Sequence, residues 1–244
     1  MDDRAWITPQ AAEDEYSAPS ETCNLLSSSM LFSGLSARDC FRITSTAVKR
    51  TFARRESLFA QGQEIRNLIL LESGNVKQMQ ISSNGDEVLL RISGAGDVVA
   101  GKELSPSLRH NYSARATRES RALMWENDQM QTYLAMYPQL GVNMGRILLA
   151  QLTELEERFR EVATEKVTTR VALLLLRLCK QMGRHSSKGI QISLNREELA
   201  QMAGVSMFTI SRMLSRWSER GLIQAPREAV IVCDLRRLRQ RNEN

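Results

Sequence analysis

Leu148, Leu152, Leu155, Phe159 and Val162 step along the chain by four, three, four and three, with Glu154, Glu156, Glu157, Arg158 and Arg160 between them. Such a step is a heptad seam, so the pattern predicts one helix over 133–163 with a narrow apolar stripe flanked by charge. Met144 and Gln151, seven residues apart, flank the stripe and are counted with it. It has two possible covers, a second copy of the chain or the helix's own neighbouring domain. A position between two domains favours the second copy, and the seam is read as a homodimer interface.

The pattern differs on either side. Residues 24–50 show helical spacing broken at Gly34, which predicts two short helices. From 57 to 125 the period shortens, and six glycines punctuate β-rich runs. LILLESGNVKQMQISSNGDEVLLRI reads as three strands, the first turning at Ser73-Gly74 and the second pair joined at Asn84-Gly85. Asn-Gly between alternating strands marks a hairpin, because both turn residues must take positive φ. The expected product is a compact antiparallel β roll. Beyond the long helix, TEKVTTRVALLLLRLCKQMG is apolar almost all round its middle and stops at Gly183, as a core helix would. Residues 190–194, IQISL, predict a short strand.

REELAQMAGVSMFTISRMLSRWSERGLI, residues 196–223, carries the most specific pattern. Asn195 and Glu198 stand at capping-box spacing and start a helix at Arg196. With Arg196 as the first position, Ala200 is fifth, Gly204 ninth, Val205 tenth, Ile210 fifteenth and Met213 eighteenth. A small residue lets two helices approach, glycine takes the left-handed turn, and the later apolar residues pin the second helix to the first: a helix-turn-helix. RGLIQAPREAVIVCDL then reads as strand, turn and strand, a wing. The second helix buries Ile210, Met213, Leu214 and Trp217 and turns Met207, Phe208, Ser211, Arg212, Ser215 and Arg216 outward. Ser206, Met207, Phe208, Thr209, Ser211, Arg212 and Arg216 are therefore the expected DNA-reading face, with Arg170 and Arg196 as phosphate contacts.

Charge sharpens this division. Residues 164–244 hold 15 basic and 7 acidic side chains, the rest of the chain 18 and 21, so a basic module is joined to a mildly acidic one. Basic side chains gain by releasing counterions from phosphates, which makes double-stranded DNA the expected partner of the C-terminal part. Cys23, Cys40, Cys179 and Cys233 form no CxxC pair, as expected of reduced thiols in a cytoplasmic protein. No apolar run reaches membrane-spanning length, and the acidic start lacks the apolar core of a signal peptide, so no membrane partner is expected. Two histidines and the lack of a nucleophile–base set or phosphate-binding loop argue against an enzyme.

LFSGLS, LFAQGQEIRNLILLESGNVKQ, SSNGDEVLLRISGAGDVVAG, TTRVALLLLRL and ELAQMAGVSMFTISRMLSRWSERGLI, in this order, resemble the Crp/Fnr family of bacterial transcription regulators over about nine tenths of the chain. The polar start with its two prolines is expected to be a flexible arm over 1–23, and the resemblance implies an α+β protein beyond it: a jelly-roll-type, cyclic-nucleotide-binding-like sensory domain over 24–132, a dimerisation helix over 133–163 and a winged helix-turn-helix domain over 164–244. It also implies a palindromic operator, RNA polymerase as a partner and a small-molecule effector. Ser211 and Arg212 stand where the family has its base-reading pair, whereas Phe208 replaces a glutamate common there. The effector segment is expected at Gly101, Lys102, Glu103, Leu104, Arg109, Tyr112 and Ser113. It departs from the cyclic-AMP pattern, because Lys102 displaces Glu103-Leu104 and Tyr112-Ser113 stand where Arg-Ser is expected. A sensor of something other than cyclic AMP follows, its cofactor unknown; the alternatives are a regulatory subunit or an effector-free DNA-binding protein that uses the roll as a dimer scaffold. Cys23 and Cys40 alone do not make an iron–sulfur set, and His110 is expected at the surface of a polar loop.

Overall fold

β3 (Asn67–Ser73) is apolar on both faces, and the fold is built around it. Leu68 and Leu70 point to one side and Ile69 and Leu71 to the other, all at 3 % exposure or less, as the two-residue period of a strand requires. The computed structural model describes residues 29–83, 87–101 and 108–240; the expected arm over 1–23, the Asn84-Gly85 turn and Lys102, Glu103 and Leu104 lie outside them. β3 sits in an antiparallel sheet ordered β1-β8-β3-β6, with β1 Val48–Phe52, β6 Val98–Ala100 and β8 Ser120–Glu126. The facing sheet is ordered β2-β7-β4-β5, with β2 Ser57–Phe59, β4 Val76–Ile81, β5 Glu87–Ser93 and β7 Ser113–Ala116. Ile69 and Leu71 meet Phe52, Phe59, Val76, Val99 and Tyr112 between the sheets. Leu68 and Leu70 meet Trp125, Met130, Tyr133 and Leu140 under the helices.

Ser73-Gly74 is not the hairpin turn that the sequence suggests. β4 pairs with β5 and β7, never with β3, so this bend carries the chain from one sheet to the other. Gly74 has φ +94°, and a Cβ there would lie 2.4 Å from the Ser120 Cα. The buried Ser120 hydroxyl accepts the Asn75 N–H at 3.1 Å and fixes the crossing. β4 and β5 do form the expected hairpin, in register from Val76↔Ser93 to Ile81↔Glu87 with a bulge at Gln78/Met79.

The single helix expected over 133–163 is two. α1 (Ala37–Thr44) precedes the sheets, α2 is Asn127–Met136 and α3 is Pro138–Thr164. Tyr137 breaks the run at φ −130°, ψ 78°, because a residue before proline is pushed out of the helical region. Pro138 then opens α3 at a position where its missing N–H costs nothing. Leu140, Asn143, Met144 and Ile147 bury the first half of α3 on the roll, and Asn143 donates to the Leu31 and Ser33 carbonyls at 2.9 and 2.7 Å.

The C-terminal module comprises α4 (Val167–Met182), β9 (Arg184–Ser186), β10 (Gly189–Ile192), α5 (Arg196–Ala203), α6 (Met207–Glu219), β11 (Ile223–Gln224), β12 (Val230–Val232) and α7 (Leu235–Gln240). Its sheet order is β11-β12-β10-β9, so β10 joins the wing to the β9 hairpin. The module shares a core with the roll: Met79, Leu89 and Ile92 of the β4–β5 hairpin pack with Leu175, Leu199 and Ile210. No helix among the described residues is long and apolar enough to cross a membrane.

Gly62 and Gly74 both have positive φ, but only Gly74 is crowded. Gly62→Ala should therefore cost about 1 kcal/mol of backbone strain. Gly74→Ala should cost at least about 2 kcal/mol more, since the sheet crossing must move. Urea denaturation of the two variants side by side checks the difference.

Candidate nucleic-acid interface and effector cleft

The helix-turn-helix is assembled from local bonds. The Asn195 side chain accepts from the Glu198 N–H at 2.9 Å and the Glu198 carboxylate accepts from the Asn195 N–H at 3.1 Å, closing the capping box of α5. Gly204 takes the left-handed turn at φ +62°, ψ +44°, and Val205 N–H returns to the Ala200 carbonyl at 3.1 Å. Ser206 then caps α6: its hydroxyl accepts the Thr209 N–H at 3.2 Å and shares a 2.9 Å bond with the Thr209 hydroxyl. Ile210, Leu214 and Trp217 are buried, with Met213 half-buried beside them.

The opposite face of α6 is open. Met207 is 58 % and Phe208 69 % exposed, while Arg212 and Arg216 are exposed and Ser211 and Thr209 half-buried. The Arg212 guanidinium carbon lies 5.6 Å from the centre of the Phe208 ring. Arg196 reaches the wing, where its guanidinium meets the Ala225 carbonyl at 3.4 Å. Arg170 does not fit the phosphate role expected of it: it is half-buried, donates to the Val162 carbonyl at the end of α3 at 3.3 Å, and lines a cleft. At the wing turn, Glu228 pairs with Arg54 of the roll at 3.0 Å, both well exposed, a contact of little energetic weight.

The apolar face of the second half of α3 is uncovered. Leu148, Leu152, Leu155, Phe159 and Val162 are between 39 and 75 % exposed, so the seam does not pack on its own roll. Met144 must be removed from it, because at 4 % exposure it belongs to the core under the roll. Gln151 is half-buried and lies beside the seam.

A cleft of about 670 Å³ opens between β4–β5, α3, α4 and α5, lined by Gln78, Gln80, Asn111, Tyr112, Arg158, Arg170 and the seam. Ion pairs brace its walls: Arg91–Glu154 at 2.5 Å, and Arg177–Glu161 at 2.5 and 2.9 Å. Arg158 donates to the Leu90 carbonyl and, at 3.5 Å, to the Met202 carbonyl, so one side chain of α3 touches both roll and helix-turn-helix. Burial, reinforced by Arg177, holds its pKa below the ordinary guanidinium value.

Of the expected effector residues, Tyr112 alone lines this cleft among those described. Its hydroxyl is spent on the Val99 carbonyl at 2.7 Å. The Ser113 hydroxyl accepts the Gln61 N–H at 3.0 Å, and Arg109 donates to the Gly62 carbonyl at 2.9 Å. Gly101 is wedged on the β3 backbone, where a Cβ would sit 2.5 Å from the Asn67 oxygen. Gln78 and Gln80, one strand period apart on β4, went unnoticed in the sequence, where they read as ordinary strand polars. His110 is not at the surface: it is 7 % exposed and stacked on Phe59 with ring centres 3.6 Å apart. Among the described residues no group of three or more histidine, cysteine or acidic side chains is placed to hold a metal.

A long helix linking an antiparallel roll with a side cleft to a winged helix-turn-helix defines a two-module DNA-binding regulator. The family profile of the cyclic nucleotide-binding domain matches residues 49–137, and that of the Crp-like helix-turn-helix domain matches 169–241. The CRP-like cAMP-activated global transcriptional regulator of Mycobacterium tuberculosis is 26 % identical over 219 residues, 89 % of this chain and 98 % of that protein. The fumarate and nitrate reduction regulatory protein of Escherichia coli is 23 % identical over 72 % of this chain and 70 % of its own. Among solved structures, the c-di-GMP responsive regulator CLP of Xanthomonas campestris superposes with a TM-score of 0.71 at 21 % identity, covering 82 % of this chain and all of that one. A CRP-family regulator of Thermus thermophilus gives 0.69 at 24 %, covering 80 % and 97 %. The chain belongs to the Crp/Fnr family and is a transcription regulator with a helix-turn-helix DNA-binding domain.

The thiols differ in reach. Burial pushes the Cys179 thiol up to about 11, and burial followed by the Asp39 charge raises that of Cys40, whereas Cys233 is exposed. Alkylation at pH 8, located by peptide mass spectrometry, should mark Cys233 and spare Cys40 and Cys179. Because the raised Cys179 value favours the protonated folded state, its protection is complete at low pH and is lost as pH rises toward about 11.

Proposed function

We propose that the protein acts as a homodimer joined along α3, binds a palindromic operator through α6 of each copy, and responds to an effector in the cleft between roll, α3 and winged module. In this reading the roll and its helices are the sensor, α3 is the dimerisation helix and 164–244 is the DNA-binding domain. Its role is regulatory rather than catalytic, in the cytoplasm and toward RNA polymerase. The observation that carries it is the bare seam. Five large apolar side chains in a row on one helix, none covered by the chain itself, suit a second copy of the same helix. Two α6 helices then stand on one side of the dimer, and their half-sites should lie about 34 Å apart on the duplex. The effector is proposed to be something other than cyclic AMP, since Arg109 and Tyr112, the expected positions for a phosphate contact, are both bound to backbone carbonyls.

Glu at both Leu152 and Leu155 should give monomers, because the paired helices would bury uncompensated charge. Sedimentation that still shows the parental dimer would remove the seam from the interface.

Arg212 has the fork geometry for guanine O6 and N7, so Arg212→Ala should lose roughly 1 to 3 kcal/mol of discrimination at one base pair of each half-site. Phe208 has no donor or acceptor and suits a thymine methyl, so Phe208→Glu should shift the preferred base. Selection from a random DNA pool with parent, Arg212→Ala and Phe208→Glu in parallel tests both. Identical motifs from all three would mean that α6 does not read bases.

A further inference from the structure

Phe208 and Arg212 are one helical turn apart on the exposed side of α6, and that geometry gives Phe208 a second role. Its ring contributes nothing to the core: Ile210, Leu214 and Trp217 close the interior of α6, while Phe208 is 69 % exposed. What it touches is the guanidinium of Arg212, whose carbon stands 5.6 Å from the ring centre. Among the described residues no carboxylate pairs with Arg212. A guanidinium over a ring is held by its flat face, which leaves its N–H edges free. A carboxylate one turn away would hold the same group by those edges, the edges that guanine O6 and N7 require.

We propose that Phe208 is a positioning residue for Arg212: the ring holds the guanidinium in place on free α6 with its donor edge open, so that guanine selectivity belongs to the pair. This rests on the reading above, in which Arg212 contacts a base. A freely rotating arginine must be immobilised when it binds, and each rotor fixed beforehand lessens that cost. The selectivity added by the ring is about two- to five-fold, the strength of an exposed cation–ring contact.

The test uses the full-length protein and the operator recovered with the parent. Affinity is measured for that operator and for one altered at the guanine, with parent, Phe208→Leu, Phe208→Trp, Arg212→Ala and the Phe208→Leu, Arg212→Ala double variant. Phe208→Leu should reduce discrimination at the guanine by about three-fold. Phe208→Trp should retain it, since tryptophan offers the stronger ring face. In the Arg212→Ala background, Phe208→Leu should change nothing further at that base pair. In the free protein, the Arg212 δ-methylene protons should be shifted upfield by the ring in NMR spectra and move back in Phe208→Leu. If Phe208→Leu keeps the parental guanine discrimination, or loses selectivity only at a different base pair, the positioning role is wrong and a direct base contact replaces it. If Arg212→Ala leaves selectivity unchanged at every base pair, the reading beneath it falls as well.

Discussion

The β4–β5 hairpin has to satisfy two cores at once. Its inner face, through Val76, closes the roll beside Val99 and Ala114, while Met79, Leu89 and Ile92 on the other face enter the interior of the winged module. An antiparallel hairpin exposed on one side would alternate apolar with polar residues; this one does not, because a second domain covers it. The bulge at Gln78/Met79 re-aims the strand between these tasks, and Gln78, buried at 4 %, spends its amide on the Ser93 hydroxyl at 3.0 Å. The winged module is thus seated on the roll by an apolar contact, and the ion pairs around it set orientation more than they add stability.

α3 meets the same demand along its length. Its first half is a core helix of the roll and its second half stands clear, so the apolar stripe rotates from one client to another within 27 residues. Arg158 is the junction. It leaves the outer half of α3 to reach the Leu90 carbonyl on the edge strand β5 and the Met202 carbonyl in the last turn of α5, groups that a bulged sheet edge and a helix end leave without internal partners. Removing a charge from water is costly, and here two carbonyls together with Glu154 and Glu161 nearby offset only part of that cost, so burial still holds the guanidinium pKa below its ordinary value.

The sequence made the winged module legible because its grammar is local. The capping box, the left-handed Gly204 and the wing turn each involve residues a few positions apart, and each stands where the spacing puts it. The Asn84-Gly85 signal likewise found the right strand pair. What failed was long-range. Ser73-Gly74 has the composition of a tight turn, but whether such a bend folds a strand back or sends it to a facing sheet depends on Ser120, 46 positions on. At Tyr137 the apolar periodicity continues across Pro138 and hides the break, which comes from the steric restriction on a residue before proline. β9 carries no apolar alternation and exists because β10 offers it an edge. Met144 stands one residue off the heptad count and faces the roll, and Arg170 looks like a free surface cation yet sits against the end of α3. Pattern alone cannot say which of two domains will claim a residue at their border.

The same border gives the cleft its place in the argument. Glu198 begins α5 through the capping box and also pairs with Lys77 of β4 at 3.6 Å, each side chain only 17 % exposed. One carboxylate therefore serves both the start of the helix-turn-helix and its seat on the hairpin. Arg158 does the equivalent from α3, and the cleft is walled by the strands and helices that these two side chains connect. A molecule bound in the cleft would meet the roll at Gln78 and Gln80, α3 along one side, and the helix-turn-helix at Met202 and Ala203. No relay across the protein is required for such a ligand to favour one seating of α5 and α6 over another. It need only bind differently to the two, since a ligand shifts an equilibrium by its difference in affinity and by nothing else.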